Sequence, residues 1–168
     1  MKGIFTIVLL SVLLIGCSDK TVEENVEPKL VVGMSLEGLN LNDQFGEPRV
    51  ISEDTKRIIF AFGKDTSHAI NDYLLTQSKT YLEDYKVVFI ADVSSAPSLI
   101  KTIFIMPGLK KLEHKVLVIE DSVVAAPYRK GVSEDMVVVV SVKDRKITEV
   151  KQVVPTPEAI KEMFEKWV

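Results

Sequence analysis

Residues 57–93 read RIIFAFGKDTSHAINDYLLTQSKTYLEDYKVVFIADV. The apolar runs at 57–62 and 86–93 have the length and the unbroken hydrophobicity of strands that are buried on both faces of a parallel sheet. Between them, a turn leads into a helix that Ser67 can cap. The apolar face of that helix consists of Ile70, Tyr73, Leu74 and Tyr81. The stretch therefore predicts a strand–helix–strand unit.

Similar signals continue on both sides of this unit. Upstream, alternation of apolar and polar residues within 39–51 predicts a hairpin. Downstream, Pro97 opens a helix over 98–106 that Pro107 ends, and residues 116–119 form a third short strand. These elements extend the unit in both directions along the chain.

The C-terminal third predicts a hairpin and a last helix. Residues 136–142 are the most β-prone stretch, and a turn at 143–145 leads to an antiparallel partner at 147–153. Thr156 caps a helix opened by Pro157, whose apolar face consists of Ile160, Met163, Phe164 and Trp167. The whole order predicts an α/β fold in three layers, with a mixed central sheet and helices on both faces.

Composition bounds the class of protein. The chain has 168 residues, enough for one ordinary globular domain, and its 46% hydrophobic content excludes disorder. Its 21 Lys and Arg against 24 Asp and Glu give a net charge of −3 with no basic block, which argues against nucleic-acid binding. A single cysteine allows no intramolecular disulfide.

The N-terminus has the features of a secretory signal peptide, with Lys2 followed by an apolar stretch at 4–15. As a helix this stretch would span about 18 Å, well short of the ~30 Å hydrocarbon core of a bilayer. Residues 14–17, LIGC, resemble the lipobox of bacterial lipoproteins, in which the cysteine is acylated. The alternative is an ordinary signal peptide followed by an incidental Cys17.

The lipobox resemblance implies that residues 1–16 are removed and that Cys17 carries two or three acyl chains, palmitate among them. Such an anchor is effectively permanent. In Gram-negative lipoproteins an Asp directly after the cysteine resembles an inner-membrane retention signal, but here Ser18 takes that place. Attachment to the outer membrane, facing the periplasm, is therefore expected.

This reading divides the chain into a signal peptide, a tether and a domain. Residues 17–31 comprise the lipidated cysteine and a polar tether, in which 18–29 could reach about 40 Å when fully extended. Residues 32–168 form the single domain.

The element order over 32–168 resembles the thioredoxin-like fold, specifically its peroxiredoxin-like branch, in which an N-terminal hairpin precedes the first buried strand. In these families a nucleophilic cysteine lies at the start of the following helix, where amides and the helix dipole stabilise a thiolate. That region here contains no cysteine and consists of Gly63, Lys64, Asp65, Thr66, Ser67 and His68. The family's cis-proline, just before the strand near residue 136, is replaced by Ser133, Glu134 and Asp135. The resemblance therefore carries over the fold without thiol–disulfide exchange or peroxide reduction.

Other chemistry could use Asp65, Ser67 and His68, since a helix would align His68 with Asp72 as an acid–base or metal-binding pair. The competing interpretation is that Asp and Ser cap the helix while His68 is solvated. No metal site is expected, because the chain has two histidines and His114 lies in a lysine-rich turn. No phosphate-binding loop, dinucleotide fingerprint, nucleophile elbow or zinc helix is present.

The helix predicted at 98–106 is unusually apolar for a surface helix. Together with the next turn it forms a candidate partner patch, which consists of Ile103, Phe104, Ile105, Met106 and Leu109. Lys101, Lys110 and Lys111 surround this patch. Two interpretations are open: an exposed patch that docks a partner or the membrane surface, or a helix buried on both sides in the core.

These observations predict a membrane-anchored envelope lipoprotein whose thioredoxin-like domain is redox-inactive and acts as a binding or accessory module without a cofactor or metal. Its expected partners are the membrane, through Cys17, and an envelope protein. One alternative is a non-thiol enzyme with its site around Asp65, Ser67 and His68. Another is a domain that only docks a separate redox protein, which supplies the thiol.

Overall fold

The computed structural model of the chain describes residues 26–167. The predicted signal peptide and Cys17 lie outside this range. Within it, seven strands form one sheet in the order β2-β1-β5-β4-β3-β6-β7. The strands are β1 (Asn40–Asp43), β2 (Pro48–Val50), β3 (Arg57–Ala61), β4 (Val87–Asp92), β5 (Leu117–Ile119), β6 (Val137–Lys143) and β7 (Lys146–Val153).

The sheet is mixed, as predicted. β3, β4 and β5 are parallel neighbours, with Ile59 opposite Phe89 and Ala91 opposite Val118. β1, β2, β6 and β7 join this parallel centre as antiparallel strands on its two sides. We call the end of the sheet at which β3, β4 and β5 finish its carboxyl end.

Helices lie in the connections after β3, β4 and β5, and a last helix follows β7. They are α1 (Lys64–Leu74), α2 (Tyr81–Asp84), α3 (Ser98–Ile100), a π-helical segment (Lys101–Ile105), α4 (Met106–Leu109), α5 (Ser122–Arg129) and α6 (Pro157–Glu165). Within residues 26–167, no helix combines the length and the apolar character needed to cross a membrane.

Alternation along the central strands builds a hydrophobic core on each face of the sheet. Ile59 of β3 packs in one core with Ile70 of α1 and Phe164 of α6. Phe60 belongs to the other core, where it stacks on Tyr128 of α5 at a centroid distance of 5.6 Å. Because helices cover both faces, the predicted three-layer arrangement is confirmed.

The start of α1 differs from the prediction. Gly63, not Ser67, is the N-cap, and its backbone is extended. The Thr66 hydroxyl accepts a hydrogen bond from the Gly63 N–H at 3.1 Å and donates one to the Gly63 carbonyl at 2.9 Å. These bonds occupy the backbone of the cap, so the helix starts four residues earlier than a Ser67 cap allows. Tyr81, predicted on this helix, lies in the separate α2.

The prediction that Pro107 ends a helix is also wrong. α3, the π-helical segment and α4 are consecutive. Because the π-helical segment interrupts the α-helical hydrogen-bond pattern, we call residues 98–109 the interrupted helix. Pro107 stands in the first turn of α4, where a missing N–H is tolerated. The π-helical segment just before it changes the hydrogen-bond spacing, so the proline falls at a junction rather than in the middle of a regular helix.

The core formed with α6 should be sensitive to Phe164, which is fully buried and stacks on Tyr73 at 4.3 Å. We expect Phe164→Ala to lower the free energy of unfolding by about 3–5 kcal/mol, since it leaves a cavity and removes ring contacts. Urea unfolding followed by far-UV circular dichroism measures this. Lys161→Ala, on the exposed side of the same helix, should change it by less than about 0.5 kcal/mol, and equal effects of the two variants would contradict this packing.

Candidate functional site

The carboxyl end of β3 brings two distant segments together. A Cβ built on Gly63 would lie 3.1 Å from the carbonyl oxygen of Glu134, in the loop before β6. A side chain here would press on the Glu134 backbone, so the close approach of the two backbones favours glycine. The start of α1 and the loop before β6 therefore meet at the carboxyl end of β3.

A groove of about 720 Å³ opens beside this contact, between α1 and the interrupted helix. The side chains on its α1 wall are Lys64, Ser67, His68, Asn71, Asp72 and Leu75. Its opposite wall is apolar and consists of Ile100, Phe104, Ile105, Leu109 and Leu112, together with Gly108. The volume and the mixture of one apolar and one largely polar wall are those of a ligand-binding site.

The groove joins the two regions singled out from the sequence. Gly63, Lys64, Ser67 and His68 line it from residues 63–68, which we call the helix-start region, and so do Phe104, Ile105 and Leu109 of the candidate partner patch. Thr66 is buried in the cap, Asp65 lies in another cavity, and Ile103 and Met106 are outside the groove lining. Neither region predicted the other, because they are about forty residues apart in the chain.

The patch itself is partly exposed. Phe104 is 66% exposed and Ile103 is also exposed, whereas Leu109 is buried and Ile105 and Met106 pack partly against the core. The interpretation of this helix as buried on both sides therefore holds only for its C-terminal turn, at Leu109. The π-helical segment carries the exposed part, and such segments occur often at functional sites.

The floor of the groove contains a buried carboxylate. Asp92, the last residue of β4, accepts a hydrogen bond from the Ser94 N–H at 2.8 Å and one from Arg129 Nε at 2.6 Å. Arg129 also lies 3.2 Å from the Glu134 carboxylate. The pairing neutralises the charge of Asp92, so the floor does not attract cations, and it ties α5 to the loop that touches Gly63.

Asp65, Ser67 and His68 do not converge. Ser67 and His68 line the groove, whereas Asp65 lines a second cavity of about 590 Å³ between α1 and α6, which His68 also borders. Among residues 26–167 we find no hydrogen bond or ion pair of the His68 ring. Nor do three or more His, Cys, Asp or Glu side chains of this range form a group that could hold a metal ion. The site has no assembled nucleophile and base.

His114 belongs to the site indirectly, which its sequence context concealed. It is only 5% exposed, and its Nε2 lies 3.0 Å from Oδ1 of Asn71 on the groove wall. Burial lowers the pKa of the imidazole. Glu113 and Lys115 on either side suggest a solvated turn, and no local pattern predicts that the ring turns inward against Phe89.

Comparison with known proteins identifies the fold. No family model and no curated protein matches the chain. Among solved structures, the thioredoxin domain of a thiol-disulfide oxidoreductase from Bacteroides vulgatus is 16% identical, with a TM-score of 0.52 over 82% of this chain and 98% of that one. A mitochondrial 2-Cys peroxiredoxin from Plasmodium falciparum is 12% identical, with a TM-score of 0.51 over 82% and 92%.

A third similar structure is a lipoprotein. The exposed lipoprotein thioredoxin from Streptococcus pneumoniae is 17% identical, with a TM-score of 0.50 over 76% of this chain and 97% of that one. The chain therefore has the thioredoxin-like fold, as its element order predicted. At these identities the comparisons establish architecture alone, because one fold supports many activities.

The buried His114 predicts a pH dependence of stability. Since its pKa is lowered in the folded chain, the unfolded chain binds more protons below the usual pKa of 6.5. The contribution of His114 to the free energy of unfolding should have its full value above pH 6.5 and fall as the pH drops below it. This contribution should stop falling once the pH has passed the pKa of His114 in the folded chain. Urea unfolding at a series of pH values between 7.5 and 5 measures this fall.

His114→Gln should flatten this dependence, because glutamine keeps a hydrogen-bonding amide near Asn71 but does not titrate. His68→Gln, which replaces the other histidine of the chain, should leave the fall in place. Parallel curves for His114→Gln and the unchanged chain would show that His114 does not account for it.

Proposed function

We propose that the chain is a lipid-anchored protein of the cell envelope, whose thioredoxin-like domain binds a partner in the groove and performs no thiol chemistry. The observation that carries this proposal is the groove itself. It lies at the start of α1, where the resembling families react through sulfur, yet its lining has one apolar wall and no cysteine.

The absence of a thiol from the groove supports a binding role. Cys17 is the only cysteine, it lies outside the described residues, and in the proposal it carries the lipid. At the start of α1, Gly63 and Thr66 form hydrogen bonds with each other, and neither residue carries a thiol. A redox partner docked here would have to bring its own thiol, which is the form that the docking alternative takes.

The groove favours a polypeptide segment with an apolar side chain. Phe104 and Leu112 offer apolar surface on one wall, and Ser67 and Asn71 offer hydrogen-bonding groups on the other. Asn71 accepts a hydrogen bond at its carbonyl oxygen when His114 Nε2 carries the proton, which leaves its NH₂ group as a donor. A partner's backbone carbonyl would suit that donor.

The proposed anchor follows from the lipobox at residues 14–17 and the polar tether after it. Acylation of Cys17 would hold the domain at the membrane, and Ser18 favours the outer membrane on its periplasmic side. The solved lipoprotein thioredoxin from Streptococcus pneumoniae supports the compatibility of this fold with such attachment.

Two exposed phenylalanines allow a matched test of the groove. Phe104 is 66% exposed in the groove wall, and Phe45 is 58% exposed at the tip of the β1–β2 hairpin. With a photoreactive phenylalanine analogue at one or the other position of the full chain, irradiation of cells should give a discrete protein adduct from position 104 and none from position 45. Gel mobility and mass spectrometry of the purified chain measure the adduct.

Ser67→Trp serves as the blocking variant, because a large ring on the opposite wall fills the groove while the photoreactive residue stays at position 104. It should abolish the adduct, and an adduct that survives places the contact outside the groove. The purified chain should reduce neither disulfides nor peroxide above background. Any catalytic turnover by the purified chain that is lost when His68 is replaced would instead establish the enzyme alternative and reject the proposal.

A further inference from the structure

The carboxyl end of the sheet exposes apolar side chains from three elements. They are Val50 of β2, Leu99 and Ile103 of the interrupted helix, and Val123 and Val124 of α5. Leu99 is 67% exposed and Val123 is 71% exposed. None of the five lines the groove, and we call them the apolar end surface.

The strand registers place these elements at one end. Asp92 and Ile119, the last residues of β4 and β5, are paired, and α3 and α5 begin shortly after them. Lys101 Nζ donates a hydrogen bond to the Glu120 carbonyl at 3.0 Å, which links the interrupted helix to the turn before α5. β1 runs antiparallel to β5, so its first residue, Asn40, and the Val50 paired with it lie toward the same end.

The chain that leads back to Cys17 leaves the domain at this end as well. The Lys29 N–H donates to the Pro127 carbonyl of α5 at 2.8 Å, and Lys29 Nζ lies 5.4 Å from the centre of the Tyr128 ring. The next residue of α5, Arg129, bonds to Asp92 at the carboxyl end of β4. Between Cys17 and Lys29 the chain can extend about 40 Å at most.

From these observations we infer that the apolar end surface lies on the lipid bilayer that holds the anchor. The inference rests on the proposed acylation of Cys17. A tether that joins the domain at its carboxyl end raises the effective concentration of lipid at the exposed side chains of that end. Several aliphatic side chains on helix starts are suited to shallow insertion at the headgroup boundary.

Charge does not favour this orientation. Glu120 and Asp121 are exposed at the start of α5, whereas the exposed Lys110 and Lys111 follow the last turn of the interrupted helix. The attraction is therefore chiefly apolar, and it should persist on zwitterionic lipid and at high salt.

The single cysteine permits a direct test with the full, acylated chain. Because Cys17 is blocked by lipid in the proposal, Leu99→Cys supplies one free thiol on the apolar end surface, and it can carry an environment-sensitive fluorophore. Phe45→Cys is the matched control. Phe45 is an exposed apolar residue at the opposite end, since Gln44 beside it donates its N–H to the carbonyl of Val116 before β5.

Both labelled variants are reconstituted in vesicles of phosphatidylethanolamine and phosphatidylglycerol, with and without brominated acyl chains. We expect a blue shift and bromine quenching of the label at position 99, and neither at position 45. Equal quenching at both positions, or none at position 99, overturns the inference. A blue shift at position 99 without bromine quenching also overturns it, because the surface is then covered by protein.

Intact mass spectrometry of the same samples separates the two proposals. Acyl chains on Cys17 without quenching at position 99 leave the anchor in place and reject the membrane-facing orientation. A chain with no acyl group rejects the anchor and the orientation together. Val123→Cys provides a second labelled position on α5 if the label at position 99 disturbs the interrupted helix.

Discussion

The parallel pairing of β3 with β4 sets the geometry of the carboxyl end of the sheet. Ile59 faces Phe89 across this pair, and both strands are buried on both faces between the two cores. Because the strands are parallel and in register, Gly63 and Asp92 emerge at the same end of the sheet. The two walls of the groove start from these strand ends, because α1 follows β3 and the interrupted helix follows β4.

Two contacts at the carboxyl ends of β3 and β4 form the floor of the groove. Because Gly63 has no side chain, the loop before β6 comes close to its backbone, and the Glu134 carbonyl oxygen lies 3.1 Å from where a Cβ would stand. The Asp92–Arg129 pair holds α5 against that loop. Both contacts fix the floor without leaving a free charge in it. The interrupted helix then supplies the apolar wall, since its π-helical segment turns Phe104 outward while Leu109 reaches the core.

Local sequence signals predicted what local interactions control. The strands at β3, β4 and β6, the β6–β7 hairpin and the Thr156 cap of α6 are where apolar periodicity and turn chemistry placed them. The Ser67 cap and the helix end at Pro107 were wrong because contacts outside the local pattern won. Thr66 bonded the Gly63 backbone, and a π-helical segment accommodated the proline.

Residue types and their spacing along the chain predicted the α/β layering, the thioredoxin-like element order and the absence of a cysteine at the start of α1. The lipobox resemblance around Cys17 rests on the same kind of signal and stays a prediction. Tertiary packing places the helix-start region and the candidate partner patch on one groove, puts Asp65 and Ser67 in different cavities, and buries His114 behind Asn71. These are relations between segments far apart in sequence, and parallel strand pairing sets them through packing that no local periodicity encodes.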